Sequence, residues 1–420
     1  MAEVMKYTFA LWWAFILSGV CTGQSLISSS QILAASRLEP AYTIQGQHLA
    51  YIDDVDAHLP YINQISLRTQ TDRFDPARQE YALRFNFNGL SEISKTNDVQ
   101  QSDVSSKAGV QRLYLQESLL RRYEGLASYH YRLQRLAIER ELKQLYADKA
   151  NVLKKRGLLD AETDVDEFIK NEFDLDQIDL DIAEDESRLD YNVQIMKSIT
   201  PSIQGEWLPD TTGFITIPQI EVQLSQFSDT INHHPQLAIR QAKSSEIDAE
   251  YALEKAKSNQ VLDFVQVRYA NVPNLQDLNR ELSLGFSFLM PFNGTSQLKM
   301  KELLIEKDEA YQNMLLYQND LTERTTRARL KLEALLRQHH LAAKQLEEHQ
   351  NRFNLDEGLL PMEDAALLLL SARELQLKRQ LNLLSLENDI MDEYIGLLDL
   401  TGMLSAMPSV NYLSSGLETY

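Results

Sequence analysis

The chain has 420 residues, 44% of them hydrophobic, which is enough for two or three ordinary domains and too apolar for disorder. Its 41 Lys and Arg stand against 61 Asp and Glu, a formal charge of −20, which disfavours phosphate recognition and hence nucleic-acid binding, and favours cationic or zwitterionic over anionic cargo. Fifteen glycines and eleven prolines are few for this length, and they gather between leucine-rich stretches, so long helices are expected to dominate.

At the start, Lys6 precedes the apolar run Tyr7–Val20, and small polar residues follow from Ser18 to Ser25. That is the pattern of a secretory signal, expected over residues 1–23. The run is shorter than the ~20 residues of a bilayer span. Glu3 is out of place in such a segment, and a start at Met5 gives a cleaner one. Cys21 is the only cysteine, so cleavage after Gly23 leaves a chain without thiol, disulfide or redox chemistry. The alternative is an acylated Cys21, although Val20 stands where a lipobox takes a small residue.

Ser30–Asp56 reads as a short helix interrupted at Pro40, and residues 61–69 and 80–88 read as strands. In the second strand Tyr81, Leu83, Phe85 and Phe87 alternate with Ala82, Arg84, Asn86 and Asn88. Val265, Val267 and Tyr269 alternate with Gln266 and Arg268, and Leu282, Leu284, Phe286 and Phe288 with Glu281, Ser283, Gly285 and Ser287, before Met290-Pro291. Period two makes one face apolar and the other polar. In water a helix would cover the apolar face; in an outer membrane that face would meet lipid and the polar one a lumen. On the strands alone, a soluble sandwich or α+β sheet ranks ahead of a membrane barrel.

The helices shift that ranking. From Ser296 to Phe353 there is neither proline nor glycine, and Ala310, Met314, Tyr317, Leu321, Ala328, Leu335 and Ala342 recur at spacings of four, three and seven. About 60 residues of helix span ~90 Å. After Gly358 the pattern resumes through Leu370, Leu377, Leu381, Leu384, Met391, Ile395 and Leu398, and Asp103–Arg156 is the counterpart in the first half. Antiparallel coiled-coil pairs folded at Gly157 and Gly358 are expected. Thr200–Pro235 holds Pro201, Pro209, Pro218 and Pro235 and reads as a linker packed round the middle of the helices. Ser405–Tyr420 reads as a loose tail.

The chain contains itself twice. EYALRFNFNG at 80–89 recurs as ELSLGFSFLMPFNG at 281–294; Glu80, Leu83, Phe85 and Phe87 fall on Glu281, Leu284, Phe286 and Phe288, Gly157 on Gly358, and Thr200 on Thr401, all at a spacing of 201. This is one tandem duplication rather than a solenoid. The organisation expected is a signal peptide (1–23), a first repeat (24–201), a linker (202–234), a second repeat (235–403) and a C-terminal tail (404–420).

Little in the sequence points to bond chemistry. His233-His234 and His339-His340 are adjacent pairs that diverge on a helix, so they read as surface histidines and not as metal ligands. Between Asp160 and Asp190 there are fourteen acids and two bases, including Asp174, Asp176, Asp179 and Asp181, read as a solvated helical face or a pathway-lining patch. A calcium loop would need a glycine that is missing. No phosphate loop, nucleophile elbow or zinc-hydrolase motif is present, so no enzyme activity, cofactor or metal is expected.

These parts resemble the TolC family of outer-membrane efflux proteins over nearly the whole exported chain. HPQLAIRQAKSSEIDAEYALEKAKS (234–258) is similar to the family's Asn-Pro-x-Leu helix, LSLGFSFLMPFNG (282–294) to its strand ending in Pro-Leu-Phe, and FNLDEGLLPMEDAALLLLSARELQL (353–377) to its glycine turn and leucine-rich helix. The first half is more diverged. The resemblance implies a mainly α fold with a small β part: long antiparallel coiled-coil helices and four transmembrane strands per chain, tandem-duplicated, joined as a trimeric α/β-barrel of twelve strands and twelve helices. It implies a passive exit duct in the outer membrane, reaching through the periplasm to a membrane-fusion adaptor and an inner-membrane pump of resistance or ABC type. Arg84, Asn86, Ser283 and Ser287 would face the lumen. Gly157, Leu158, Gly358 and Leu359 would form the adaptor-docking tip, with Arg156 and Glu357 where the family has valine, and Asp364 would line the periplasmic gate, with Leu367 where a second acid is expected. The rival reading is a periplasmic coiled-coil scaffold whose sheet packs in water.

Overall fold

The computed structural model describes residues 25–54, 59–71, 79–157, 165–226, 231–270, 282–288, 294–353 and 365–420. The expected signal segment, with Cys21, lies outside the described residues. In chain order the elements are β1 (Ser25–Ser28), α1 (Ser29–Ala34), α2 (Pro40–Asp54), β2 (Ile62–Thr71), β3 (Gln79–Phe87), α3 (Leu90–Gly157), α4 (Val165–Ile199), β4 (Trp207–Asp210), α5 (Ile217–Gln226), α6 (Pro235–Ser258), β5 (Leu262–Ala270), β6 (Leu282–Phe288), α7 (Gly294–Phe353) and α8 (Ala365–Thr401). The second set α6, β5, β6, α7, α8 repeats the order α2, β2, β3, α3, α4.

Local signals account for most boundaries. Ser28 caps α1 through a capping box with Gln31. Pro40 does not interrupt a helix but opens one, at the position where its missing N–H costs nothing. α3 starts at Leu90, some way before Asp103, although Ser91–Ser106 is rich in Ser, Asn and Asp and poor in helix formers. Tertiary packing overrides propensity there. α6 lies along this part of α3 so closely that a Cβ on Gly109 would come within 2.7 Å of the Ile239 side chain, and Gln111 donates to the Tyr42 carbonyl of α2 at 3.5 Å.

At 68 residues, α3 is about 100 Å long. It pairs antiparallel with α4, Arg132 meeting Asp185 at 2.8 Å and Asn171 the Tyr146 carbonyl at 2.9 Å. α7 pairs likewise with α8, His339 meeting Glu387 at 3.2 Å. Gln116 and Asp399, 2.7 Å apart, join α3 to α8, so the four long helices run in the order α4, α3, α8, α7.

The main core lies where the first described residues, the linker and the C-terminal residues wrap this row. Leu119, Tyr123 and Leu126 of α3, Met196 of α4, Ile390, Tyr394 and Leu398 of α8 and Trp207 and Ile220 of the linker are all at most 1% exposed. β1 pairs in parallel with β4, tying the start of the described chain to the linker. The tail is not loose. Leu413 and Asn411 are fully buried, the Tyr123 hydroxyl donates to the Val410 carbonyl, and the Ile215 N–H donates to the Leu413 carbonyl. The expectation failed because these residues carry no period, while their contacts are with residues far away in sequence.

His234 is also not a surface residue: it is 7% exposed, and its Nδ1 accepts from the Gln236 N–H to cap α6. Gly402, at φ +73°, allows this packing, since a Cβ there would lie 2.5 Å from the His233 carbonyl oxygen.

Candidate functional site: an exposed apolar sheet and its polar face

The four longer strands form one antiparallel sheet in the order β2-β3-β5-β6, so the hairpins of the two repeats meet at β3 and β5. Their register lines up the alternation seen in each strand. One face carries the rows Ile65-Phe85-Val265-Phe286, Leu67-Leu83-Val267-Leu284 and Thr69-Tyr81-Tyr269-Leu282. The other carries Gln64-Asn86-Phe264-Ser287, Ser66-Arg84-Gln266-Gly285 and Arg68-Ala82-Arg268-Ser283. Arg84, Asn86, Ser283 and Ser287 lie together on this second face.

The apolar face is left uncovered, as it would not be in a sheet folded in water. On the apolar face Leu67, Leu284 and Phe286 are exposed, at 68%, 64% and 59%, whereas Ala82 on the polar face is 8% exposed. A soluble sheet would cover those leucines, because each buried aliphatic side chain is worth about 1.5–3 kcal/mol. The polar face is instead internally tied: Arg84 lies 3.8 Å over the Phe264 ring and donates to Gln266 at 3.3 Å, Asn86 donates to Gln64, and Arg268 pairs with Glu80. β2 and β3 are 10 and 9 residues long, the length of a tilted membrane strand. Tyr81 and Tyr269 stand towards one end of the apolar band and Phe87 and Phe288 at the other, where a membrane barrel places its aromatic girdles. Among the described residues both outer strands, β2 and β6, have an unpaired edge.

A second exposed apolar surface runs down the flanking helices. On α4, Val165, Ile169, Phe173, Leu180, Tyr191 and Ile195 are exposed, and on α7 so are Leu298, Ile305, Leu316, Leu330 and Leu341. Most acids of α4 stand at exposed or half-exposed positions, and Asp185 is the exception. Asp185 is 4% exposed and held by Arg132 and Arg135, while Asp179 pairs with Lys143 at 2.7 Å and Glu186 with Arg140 at 2.8 Å. The signal that would have revealed this was the basic row Arg132, Arg135, Arg140, Lys143 on the preceding helix, spaced at helical intervals.

One buried ion pair anchors the helices to the wrapping segments. Arg122, fully buried, bonds Glu39 at the start of α2, the Ser118 hydroxyl and carbonyl, and the Ile199 carbonyl at the end of α4. Sequence reasoning did not single it out. The partners come from three elements, so no local spacing marks it.

Of the expected tip and gate residues, Gly157 is the last residue of α3. Leu158, Gly358, Leu359 and Asp364 lie outside the described residues. Leu367, where a second gate acid was expected, is 8% exposed in the first turn of α8. His340 is exposed and sits 2.5 Å from Glu221, which joins α7 to α5. Among the described residues no helix is long and apolar enough to cross a membrane, and no group of His, Cys, Asp and Glu is placed to hold a metal ion.

No protein-family model and no curated relative matches the sequence. Solved structures match the fold. CusC, described for its folding and transmembrane channel formation, superposes with a TM-score of 0.63 at 14% identity, covering 90% of this chain and 93% of its own. The outer-membrane channel MtrE of Neisseria gonorrhoeae, in its open state, gives 0.62 at 9% identity, covering 93% and 91%. The outer-membrane protein VceC of Vibrio cholerae gives 0.61 at 9% identity, covering 89% and 96%. The likeness spans the whole architecture, and the mainly helical, four-stranded fold expected from the TolC resemblance is the fold this chain adopts.

Proposed function

We propose that the protein is a TolC-family exit duct of the outer membrane, through which substrates leave passively without bond chemistry. The observation that carries this reading is the sheet whose apolar face is exposed while its polar face is tied within itself. Such a face is stable in hydrocarbon and unstable in water.

Four strands are too few for a closed barrel, which needs about eight, so copies must join through the free edges of β2 and β6. Three copies give twelve strands, and the exposed apolar stripes of α4 and α7 supply matching seams for a helical tunnel below. The polar rows with Arg84, Asn86, Ser283 and Ser287 then line the lumen. The helical turns after Gly157 and around Gly358 form the far tip, where Leu158 and Leu359 dock a membrane-fusion adaptor that couples the duct to an inner-membrane efflux or type I secretion pump. Asp364 forms a ring near the closed end that favours cations.

The scaffold alternative requires the sheet to be water-covered, and the exposure of Leu67 and Leu284 counts against it. Extraction from washed membranes and planar-bilayer recording test the reading. Release only by detergent, and stepwise conductance after reconstitution, are expected. A lone, water-soluble particle without conductance would refute it.

A further inference from the structure

We infer that α2 is a clasp between copies of the chain: its exposed face, carrying Ile44 and Tyr51, seats on the face of α7 that carries Leu304 and Tyr311 in a second copy. This deepens the duct reading and rests on its assembly of copies, while linkage between copies and conductance are measured separately.

The duplication carries the argument. Next to the sheet the helices form a second row, α2, α3, α6, α7, in which each packs on its neighbours. α6, the first helix of the second repeat, lies on α3, the long helix of the first: Gly109 meets Ile239, and Ser102 and Ser105 share a groove with Ala242 and Ala249. It also lies on α7 of its own repeat, where Asp248 pairs with Lys307 at 2.7 Å and Arg240 stands 4.6 Å over the Tyr317 ring. α2 holds the corresponding place in the first repeat. It lies on its own α3, with Tyr42 and Gly46 against Gln111. The remaining contact, first helix of one repeat on the long helix of the other, has no place within the chain, because α2 and α7 stand at opposite ends of the row. A second copy supplies it.

The two faces that this contact needs are apolar and uncovered. Ile44 and Tyr51 lie roughly 140–180° round α2 from Tyr42 and Gly46, and Leu304 and Tyr311 lie roughly 100–140° round α7 from Ala310 and Tyr317, which are turned to α6. All four are exposed in the single chain. Ala310 stands 201 residues after Gly109, and Ile44 is level with Ile239, since Gln111 holds Tyr42 and Gly46 two residues from Gly109. Transposing the Gly109–Ile239 contact therefore puts Ile44 at Ala310, beside Tyr311. Residues 44 and 51 are two helical turns apart, as are 304 and 311, so antiparallel packing, the sense of α6 on α3, brings Tyr51 to Leu304 at the same time. The sheet agrees: β2 follows α2 and β6 precedes α7, so pairing of those edges joins the same two copies. Two different faces meet, which gives a head-to-tail contact that closes into a ring and not a two-fold pair.

The test uses the full-length protein in detergent. Ile44→Cys with Tyr311→Cys in one chain should, on oxidation, link copies into dimers and higher ladders on denaturing gels, and Tyr51→Cys with Leu304→Cys should do the same. Ile44→Cys with Leu304→Cys, mismatched by two turns, should not, and nor should the single variants, which share Cys21 with the pairs. Independently, Ile44→Asp with Tyr51→Asp should raise the concentration at which copies dissociate by about tenfold per residue, read by light scattering. An assembled wild type whose matched pairs do not link, or an Asp pair that dissociates as wild type does, would overturn the clasp and, where conductance persists, leave the duct reading intact. Linkage without conductance would uphold the clasp and overturn the duct, and a wild type that does not assemble would overturn both.

Discussion

Leu284 is the residue at which a lipid-facing sheet and a water-facing one give the most different answers. It sits in the row Leu67-Leu83-Val267-Leu284, in the middle of the strands, and is 64% exposed in the single chain. Were that face in water, Leu284→Arg would change stability by no more than about 0.5 kcal/mol, as surface substitutions do. In hydrocarbon, arginine near the midplane costs about 2–4 kcal/mol per chain, and roughly three times as much for a trimer substituted in every copy. Ser283→Arg, one residue away on the polar face, should cost little under either account. Urea unfolding in lipid vesicles, followed by tryptophan fluorescence and by mobility on unheated gels, measures both variants. A Leu284→Arg protein as stable as wild type and as Ser283→Arg would refute the reasoning.

Arg122→Met should destabilise the fold by about 3–5 kcal/mol, read by thermal unfolding, because it leaves Glu39 without its buried partner and the Ile199 carbonyl without a donor; a loss below about 1 kcal/mol would show the network to be incidental. His130, stacked 4.3 Å from Phe214, has its pKa pushed down by burial to about 4. The folded state thus resists a proton that the unfolded chain accepts below about 6.5, so stability is intact above that pH and falls by up to about 3 kcal/mol on acidification to about 4. His130→Phe should flatten melting temperature across this window, and an unchanged slope would contradict the assignment. Phe173→Asp, on the exposed stripe of α4, should leave the chain folded but lower its assembly state by light scattering in detergent, whereas an unaltered assembly would exclude that stripe from the seam. Asp364→Ala should raise single-channel conductance or reduce block by multivalent cations, and no change in either would remove Asp364 from the gate.

What could be read from the sequence was periodic. Alternation in Tyr81–Phe87 and Leu282–Phe288, and heptad-like leucines after Gly358, each follow from one element's geometry, so the strands, the long helices and the 201-residue offset were all visible. What could not be read was built from partners distant in the chain. Arg122 draws on α2 and α4, β1 and β4 are four residues each and 182 positions apart, and Tyr412 and Leu413 enter the core without any repeat to mark them. Burial of Asp185 needed two helices read together, since it gains meaning only beside Arg132 and Arg135.

The central claim is that the apolar face of this sheet meets hydrocarbon, and spin labels placed by cysteine substitution test it most directly. With Cys21 as the only native cysteine, labels at Leu284→Cys and Ser283→Cys report the two faces separately in reconstituted vesicles. The account predicts that the label at 284 relaxes with oxygen, which concentrates in lipid, and is shielded from a water-soluble nickel chelate, with the opposite preference at 283. Free access of the nickel chelate to position 284 would contradict it.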